Sequence, residues 1–168
     1  LYSNVAIAWV GALVADLVIN KPLGLRPQHI EFKRAHLYDI NPVGVGAMTI
    51  ATIVSISAFY GFFGPTAKAL SAFVALAAAF VTAPLIAWAT DGKYYIARKP
   101  KRSWQNLEAI QCCICEHSFE PEDMASCPAY AGPICSLCCS LDARCHDLCK
   151  PHARIGAQVS ETLGKLLP

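Results

Sequence analysis

Three apolar runs, all ending before Thr90, constrain this chain more than any other feature. A helix crossing the hydrocarbon core of a bilayer needs about 20 mostly apolar residues. The first run, YSNVAIAWVGALVADLVI, occupies about 1–19; VGVGAMTIATIVSISAFYGFF occupies 43–63; a third, rich in Ala, occupies about 69–89. Gly, Ala, Ser and Thr are spread through all three, as in helices that pack closely inside a membrane. Pro84 lies within the third, where it should kink the helix or mark its last turns. Buried helices of a water-soluble domain are the competing reading. Three such spans in so short a stretch disfavour it.

Composition agrees. Apolar residues make up 55% of the 168 and charged residues 15%, against about 25% charged in a soluble domain. The deficit lies before residue 92, whereas charges, Pro and Cys gather after it. The expected fold is an all-α membrane protein, with three transmembrane helices followed by a small, cysteine-rich, metal-stapled cytoplasmic domain. The expected divisions are 1–98 for the membrane region, 99–111 for a basic linker, 112–152 for the cysteine-rich domain and 153–168 for a linker or amphipathic helix carrying Val159, Leu163, Leu166 and Leu167. The chain opens on Leu1 with no signal-peptide pattern, so it reads as a piece of a longer or processed polypeptide.

Lys and Arg set the expected orientation. The link after the first run holds Lys21, Arg26, Lys33 and Arg34, and the turn between the second and third holds only Lys68. Lys93, Arg98, Lys99, Lys101 and Arg102 follow the third. This alternation puts the first link and the tail in the cytoplasm, with Trp88, Tyr94 and Tyr95 at the interface on that side. Lys99 to Arg102 would meet anionic lipid. Asp16 and Asn4 are candidates for a polar intramembrane site, because carboxylates inside a bilayer are usually paired or functional. Asp16, close to the basic link, could instead face water or pair with Lys21.

GALVADLVINKPLGL, followed by the basic link and AHLYDINPVGVGAM, resembles the end of a nucleobase–cation symporter of the purine–cytosine permease type. Ala15 and Asp16 match that family's Ala-Asp-Tyr signature, although Leu17 replaces its aromatic, and His36, Leu37 and Tyr38 occupy its loop element. The resemblance covers about residues 1 to 98. It implies the final helices of an inverted-repeat transporter, whose binding site lies at the midplane on broken helices; most of these would precede Leu1. Taken together, INKPLGL, EFKRAHLYDINPVGVG, KYYIARKP and ICSLCCSLDARCHDLCKP resemble the front portion of bacterial sensor histidine kinases with a transporter-like sensory module. No phosphoacceptor-His helix or ATP lid occurs in these residues, so kinase activity would belong to a longer parent.

All nine cysteines fall between Cys112 and Cys149. In a reducing compartment thiols seldom form disulfides, and close Cys spacing there points to metal. Cys112/Cys115 and Cys135/Cys138 are C-x2-C pairs and Cys145/Cys149 is C-x3-C; each such turn aims two sulfurs at one ion. A cross-braced arrangement of two zinc ions follows. Cys112, Cys115, Cys135 and Cys138 form one shell; Cys127, Cys139, Cys145 and Cys149 form the other. His117, His146 and His152 are alternative ligands, and Cys113 is left over as a candidate redox or sensing thiol. Iron–sulfur chemistry is disfavoured because the run C-x2-C-x2-C-x3-C-P is missing. Fully protein-filled shells point to a structural role, with Phe119, Met124, Tyr130, Ile134 and Leu137 as a miniature core.

The chain therefore reads as part of a bacterial inner-membrane sensor, its zinc knot relaying to cytoplasmic signalling domains. Two alternatives stay open: a solute:cation symporter with a regulatory tail, and a small accessory subunit of a membrane complex. Expected partners are the lipid bilayer, other transmembrane helices and a nucleobase-like solute. Nucleic acid is not expected, because Glu120, Glu122 and Asp123 form an acidic turn. No paired carboxylates, nucleophile–base set or phosphate loop is present, so no catalytic residue is assigned.

Overall fold

The computed structural model describes residues 1–99, 101–104, 106–141 and 143–166. Pro100 and Gln105 of the expected basic linker, and Leu167 of the expected terminal amphipathic stripe, lie outside them. The chain forms two compact units: Leu1–His29 with Asn41–Tyr95, and Ile30–Ile40 with Ile96–Pro168. It therefore passes from one unit to the other three times.

The first unit is helical. Helix α1 spans Tyr2–Ala15 and runs into a single π-helical turn, Asp16–Asn20. Helix α2 spans Pro42–Phe59, a short α3 spans Pro65–Ala69, and α4 spans Ser71–Ala89. Asn41 caps α2, its Oδ1 accepting from the Val43 amide at 3.0 Å, with Pro42 at the first helical position, where a missing N–H costs nothing. The second helix ends at Phe59 rather than Phe63, because the chain turns through Gly61 and Gly64, both at positive φ. Helix α4 runs through Pro84, which sits in its last two turns.

Small residues hold this unit together. Helix α4 buries Ser71, Ala75, Ala79, Ala83 and Ala87, one in every four. Helix α2 buries Val43, Ala47, Ala51, Ser55 and Ala58, and α1 buries Asn4, Ala8, Gly11, Ala12 and Ala15. A Cβ on Gly11 would lie 3.1 Å from the Ala79 Cβ, so these backbones approach closely. Large side chains point the other way: Val10, Leu13, Ile53, Phe73, Val81 and Leu85 are all exposed. In water this arrangement would waste the hydrophobic effect, which rewards burying the largest apolar groups. In lipid the outward chains lose nothing, and close backbone packing supplies the association energy. Helices α1 with its π turn, α2 and α4 are each long and apolar enough to cross a membrane.

The second unit corrects the all-α expectation, because it contains two small antiparallel sheets. Strands β1 (Ile110–Gln111) and β2 (Ser118–Phe119) form one hairpin, and β3 (Met124–Cys127) and β4 (Gly132–Cys135) form the other. The hairpins meet where the Cys113 amide donates to the Pro133 carbonyl at 2.9 Å. Helices α5 (Ser136–Leu141) and α6 (Ile155–Leu166) follow. The core holds Met124, Ile134, Phe119 and Tyr130 among the cysteines. Leu137, expected there, is instead 63% exposed.

Residues 30–40, read from sequence as a membrane-side link, are built into this second unit. Ala35 and His36 are buried, and the His36 carbonyl accepts from the Ala97 amide at 2.8 Å. Gln158, on the inner face of α6, bonds both backbone groups of Ile40, at 3.1 and 2.8 Å. The apolar stripe of α6, Ile155, Val159 and Leu163, faces outward.

Candidate metal centre

The first cysteine pair sits in a tight turn grown from a hairpin. After β1 the Cys112 amide donates to the His117 carbonyl at 2.9 Å, and the Glu116 amide donates to the Cys112 carbonyl at 3.0 Å. Glu116 takes a left-handed conformation, φ 60°, which reverses the chain between Cys112–Cys115 and β2. The second pair uses different architecture. Cys135 ends β4, and Cys138 lies one turn into α5.

These two turns bring Cys112, Cys115, Cys135 and Cys138 together, with all four sulfurs within 4.8 Å of one another. The Cys115 and Cys135 sulfurs are 3.9 Å apart. A tetrahedral ion bonded to sulfur at about 2.3 Å places its ligands about 3.8 Å apart, so the spacing fits one ion. Cys112 and Cys135 are buried, whereas Cys115 and Cys138 are partly exposed.

Backbone amides tune these thiols. Burial raises the Cys112 pKa, but N–H groups of Cys115, Cys135 and Ile114 outweigh it and bring the thiol down to about 6. The Ile114 and Cys135 amides lie 3.5 and 3.4 Å from its sulfur. The Cys138 amide points at the Cys135 sulfur at 3.4 Å. Burial and the neighbouring sulfurs push Cys135 and Cys138 up. The Cys112 thiolate forms readily, whereas Cys135 and Cys138 resist adding negative charge, which a cation would relieve. The residues present therefore fit a metal ion.

The other quartet is arranged differently. Cys127 ends β3, Cys139 lies on α5, and Cys145 and Cys149 flank a turn containing His146 and Asp147 at positive φ. Cys127 and Cys145 are buried in the core, with Cys139 and Cys149 packed against it. Burial and the charges of Cys149, Cys145 and Cys127 push Cys139 up to about 11. These four are thus neighbours, yet among the described residues only the first quartet draws its ligand atoms within 4.8 Å.

All nine cysteines are free thiols. Two candidate histidines have other work: His117 Nδ1 lies 2.7 Å from the Cys115 carbonyl, and His152 Nε2 lies 3.1 Å from the Ala97 carbonyl. His146 is exposed. Exposed Cys113 adjoins the first quartet, and its sulfur would be 3.4 Å from a Cβ at Gly132.

In the helical unit, Asp16 finds a partner that the sequence reading missed. Its Oδ2 accepts from Arg26 Nη1 at 2.6 Å, not from Lys21, and its Oδ1 accepts from Asn20 Nδ2 at 2.9 Å and from the Tyr95 hydroxyl. The π-helical turn carries Asp16 and Asn20 at its two ends. Asn20 Oδ1 and Arg26 Nε are buried with no hydrogen-bond partner. Asn4 ties three helices together: its Nδ2 donates to the Ser55 carbonyl at 3.3 Å, and its Oδ1 accepts from Ser71 Oγ at 3.5 Å. Asn4 and Asp16 are therefore separate features rather than one site.

The class these observations define is a protein with three helices fit to cross a membrane and a cysteine-rich unit with a four-thiol group able to hold a metal ion. No protein-family model matches the chain, and no curated protein or solved structure matches it either.

Proposed function

We propose that this chain is the relay portion of a bacterial inner-membrane sensor, in which a zinc-stapled cytoplasmic unit joins transporter-like helices to signalling domains elsewhere in a longer polypeptide. One observation carries the reading: the cysteine-rich unit includes both the loop between α1 and α2 and the tail after α4. Between Ile40 and Ile96 the chain makes two long apolar helices, α2 and α4. Two crossings return a chain to the side it left, so both segments lie on one face of the membrane. The basic residues of both assign that face to the cytoplasm, where thiols stay reduced and zinc is the common tenant of four-thiolate shells. The unit is thereby connected covalently to three helix ends. A displacement of any one of them reaches the metal knot directly, as a relay requires.

The partly buried Asp16–Arg26–Asn20–Tyr95 cluster favours a second reading, a solute:cation symporter with a regulatory tail. π-Helical turns are frequent at functional sites, and two orphaned polar atoms mark this cluster as incompletely satisfied. The experiment is to read the flanking coding sequence, then express the full polypeptide in vesicles. Autophosphorylation that changes with a solute supports the sensor. Accumulation of labelled nucleobase without phosphorylation sinks the sensor and supports the symporter.

A further inference from the structure

The loop between α1 and α2 reaches the second cysteine quartet. Ala35, 2% exposed, lies in the cysteine-lined core although it stands far upstream of every cysteine. It packs in the same cluster as Cys127, Cys139, Cys145 and Cys149. Its neighbour Arg34 grips Asp147, between Cys145 and Cys149, through Nε at 3.3 Å and Nη2 at 2.8 Å. On the far side of the same turn, Lys150 is 1% exposed, and its Nζ donates to the Leu37 carbonyl at 2.8 Å and to Asp39 at 2.9 Å. Arg98 Nη1 donates to the Ser126 carbonyl, beside Cys127, at 2.8 Å. The N–H groups aimed at first-quartet sulfurs, by contrast, come from Ile114, Cys135 and Cys138.

Charge completes the picture. Four thiolates around a divalent ion leave a net charge of about −2, and Arg34 and Arg98 bring two guanidinium groups to this quartet. The turn they hold contains two consecutive residues in the left-handed region, His146 and Asp147. Such a conformation persists only where its surroundings over-determine it. Arg34, on the Asp147 carboxylate, is part of those surroundings.

We propose that Cys127, Cys139, Cys145 and Cys149 hold a soft divalent cation such as zinc, and that this second site is a clasp: its occupancy docks the α1–α2 loop on the tail, while the first site staples the hairpins independently. The inference rests on the metal-knot reading above. It makes the second site the regulatory one, because releasing its ion frees a segment joined at both ends to apolar helices.

The test uses the full chain, purified in detergent with zinc. Bound metal is counted, its release to a colorimetric chelator is timed, and hydrogen exchange is followed over residues 30–40. Wild type should hold two ions. Ala35→Asp places a carboxylate among the thiols without touching a ligand; it should release one ion at least 10-fold faster, deprotect residues 30–40 and leave the other ion unchanged. Arg34→Ala, milder and with all nine cysteines in place, should accelerate the same ion by about 10-fold, the low end for loss of a group that orients ligands. Cys115→Ser should lose an ion and leave residues 30–40 protected. Release kinetics unchanged by both loop variants, or both ions lost together, would overturn the clasp. A wild-type chain with one ion also overturns it but leaves the first centre standing; a chain with none defeats the metal-knot reading as well.

Discussion

At Cys135 three roles meet in one side chain: it ends β4, accepts the Cys138 amide at its sulfur, and sits 1% exposed among the other three thiols. Serine keeps the size but replaces a soft thiolate with a hydroxyl that does not ionise near neutral pH. Cys135→Ser should therefore lose one ion per chain and open the Cys112–Cys115 turn and the junction of β4 with α5 to protease, since the ion holds these two turns together. Metal analysis and protease resistance check this, and unchanged values for both would count against a structural ion. At Asp16 the expectation differs. Asp16→Asn leaves the Arg26 guanidinium, 9% exposed, without its counter-charge, and breaking such a pair costs about 3 kcal/mol. Thermal unfolding of the helical unit should fall measurably, and Arg26→Met in the same chain should recover much of the loss.

Among the elements, α4 shows how packing is written in small residues. Ala79 lies in the middle of its buried row, facing Gly11 of α1. Ala79→Leu would wedge the two backbones apart at a cost of about 2 kcal/mol. The same change at Val81, which is 57% exposed, should be nearly neutral, and comparing the two in detergent by chemical denaturation checks the inward face. The start of α2 depends on its cap: Asn41→Ala removes the acceptor for the Val43 amide and should cost about 1 kcal/mol. That loss should appear as faster amide exchange in the first turn alone.

For the molecule as a whole, the two units draw on different sources of stability. The helical unit depends on close backbone approach, which no chelator touches. The cysteine-rich unit has short strands, and most of its buried core positions are cysteine or alanine, so it needs a staple. Excess chelator should therefore erase protease protection in residues 96–166 and in 30–40 together, while far-UV circular dichroism keeps the signal of α1, α2 and α4. Loss of protection in the tail with residues 30–40 still resistant would show that the loop is not part of that unit.

Span length, the alternation of basic links and the C-x2-C spacings were legible in the chain itself, because each depends on local geometry: helix rise against bilayer thickness, and a turn that aims two sulfurs at one point. The grouping of Cys112 and Cys115 with Cys135 and Cys138 followed from that spacing too. Other features required the fold. The sheets escaped notice because strands of two to four residues leave no periodicity to read. Arg26 displaced Lys21 as the partner of Asp16 because the chain turns back after Asn20, with Gly24 at positive φ and the Leu25 amide on the Asn20 carbonyl. Residues 30–40 looked like a polar link because their partners, from Ala97 to Gln158, are distant in sequence. Only tertiary structure decides which distant groups satisfy a buried loop's hydrogen bonds, since local sequence fixes how many donors and acceptors it carries but not what answers them.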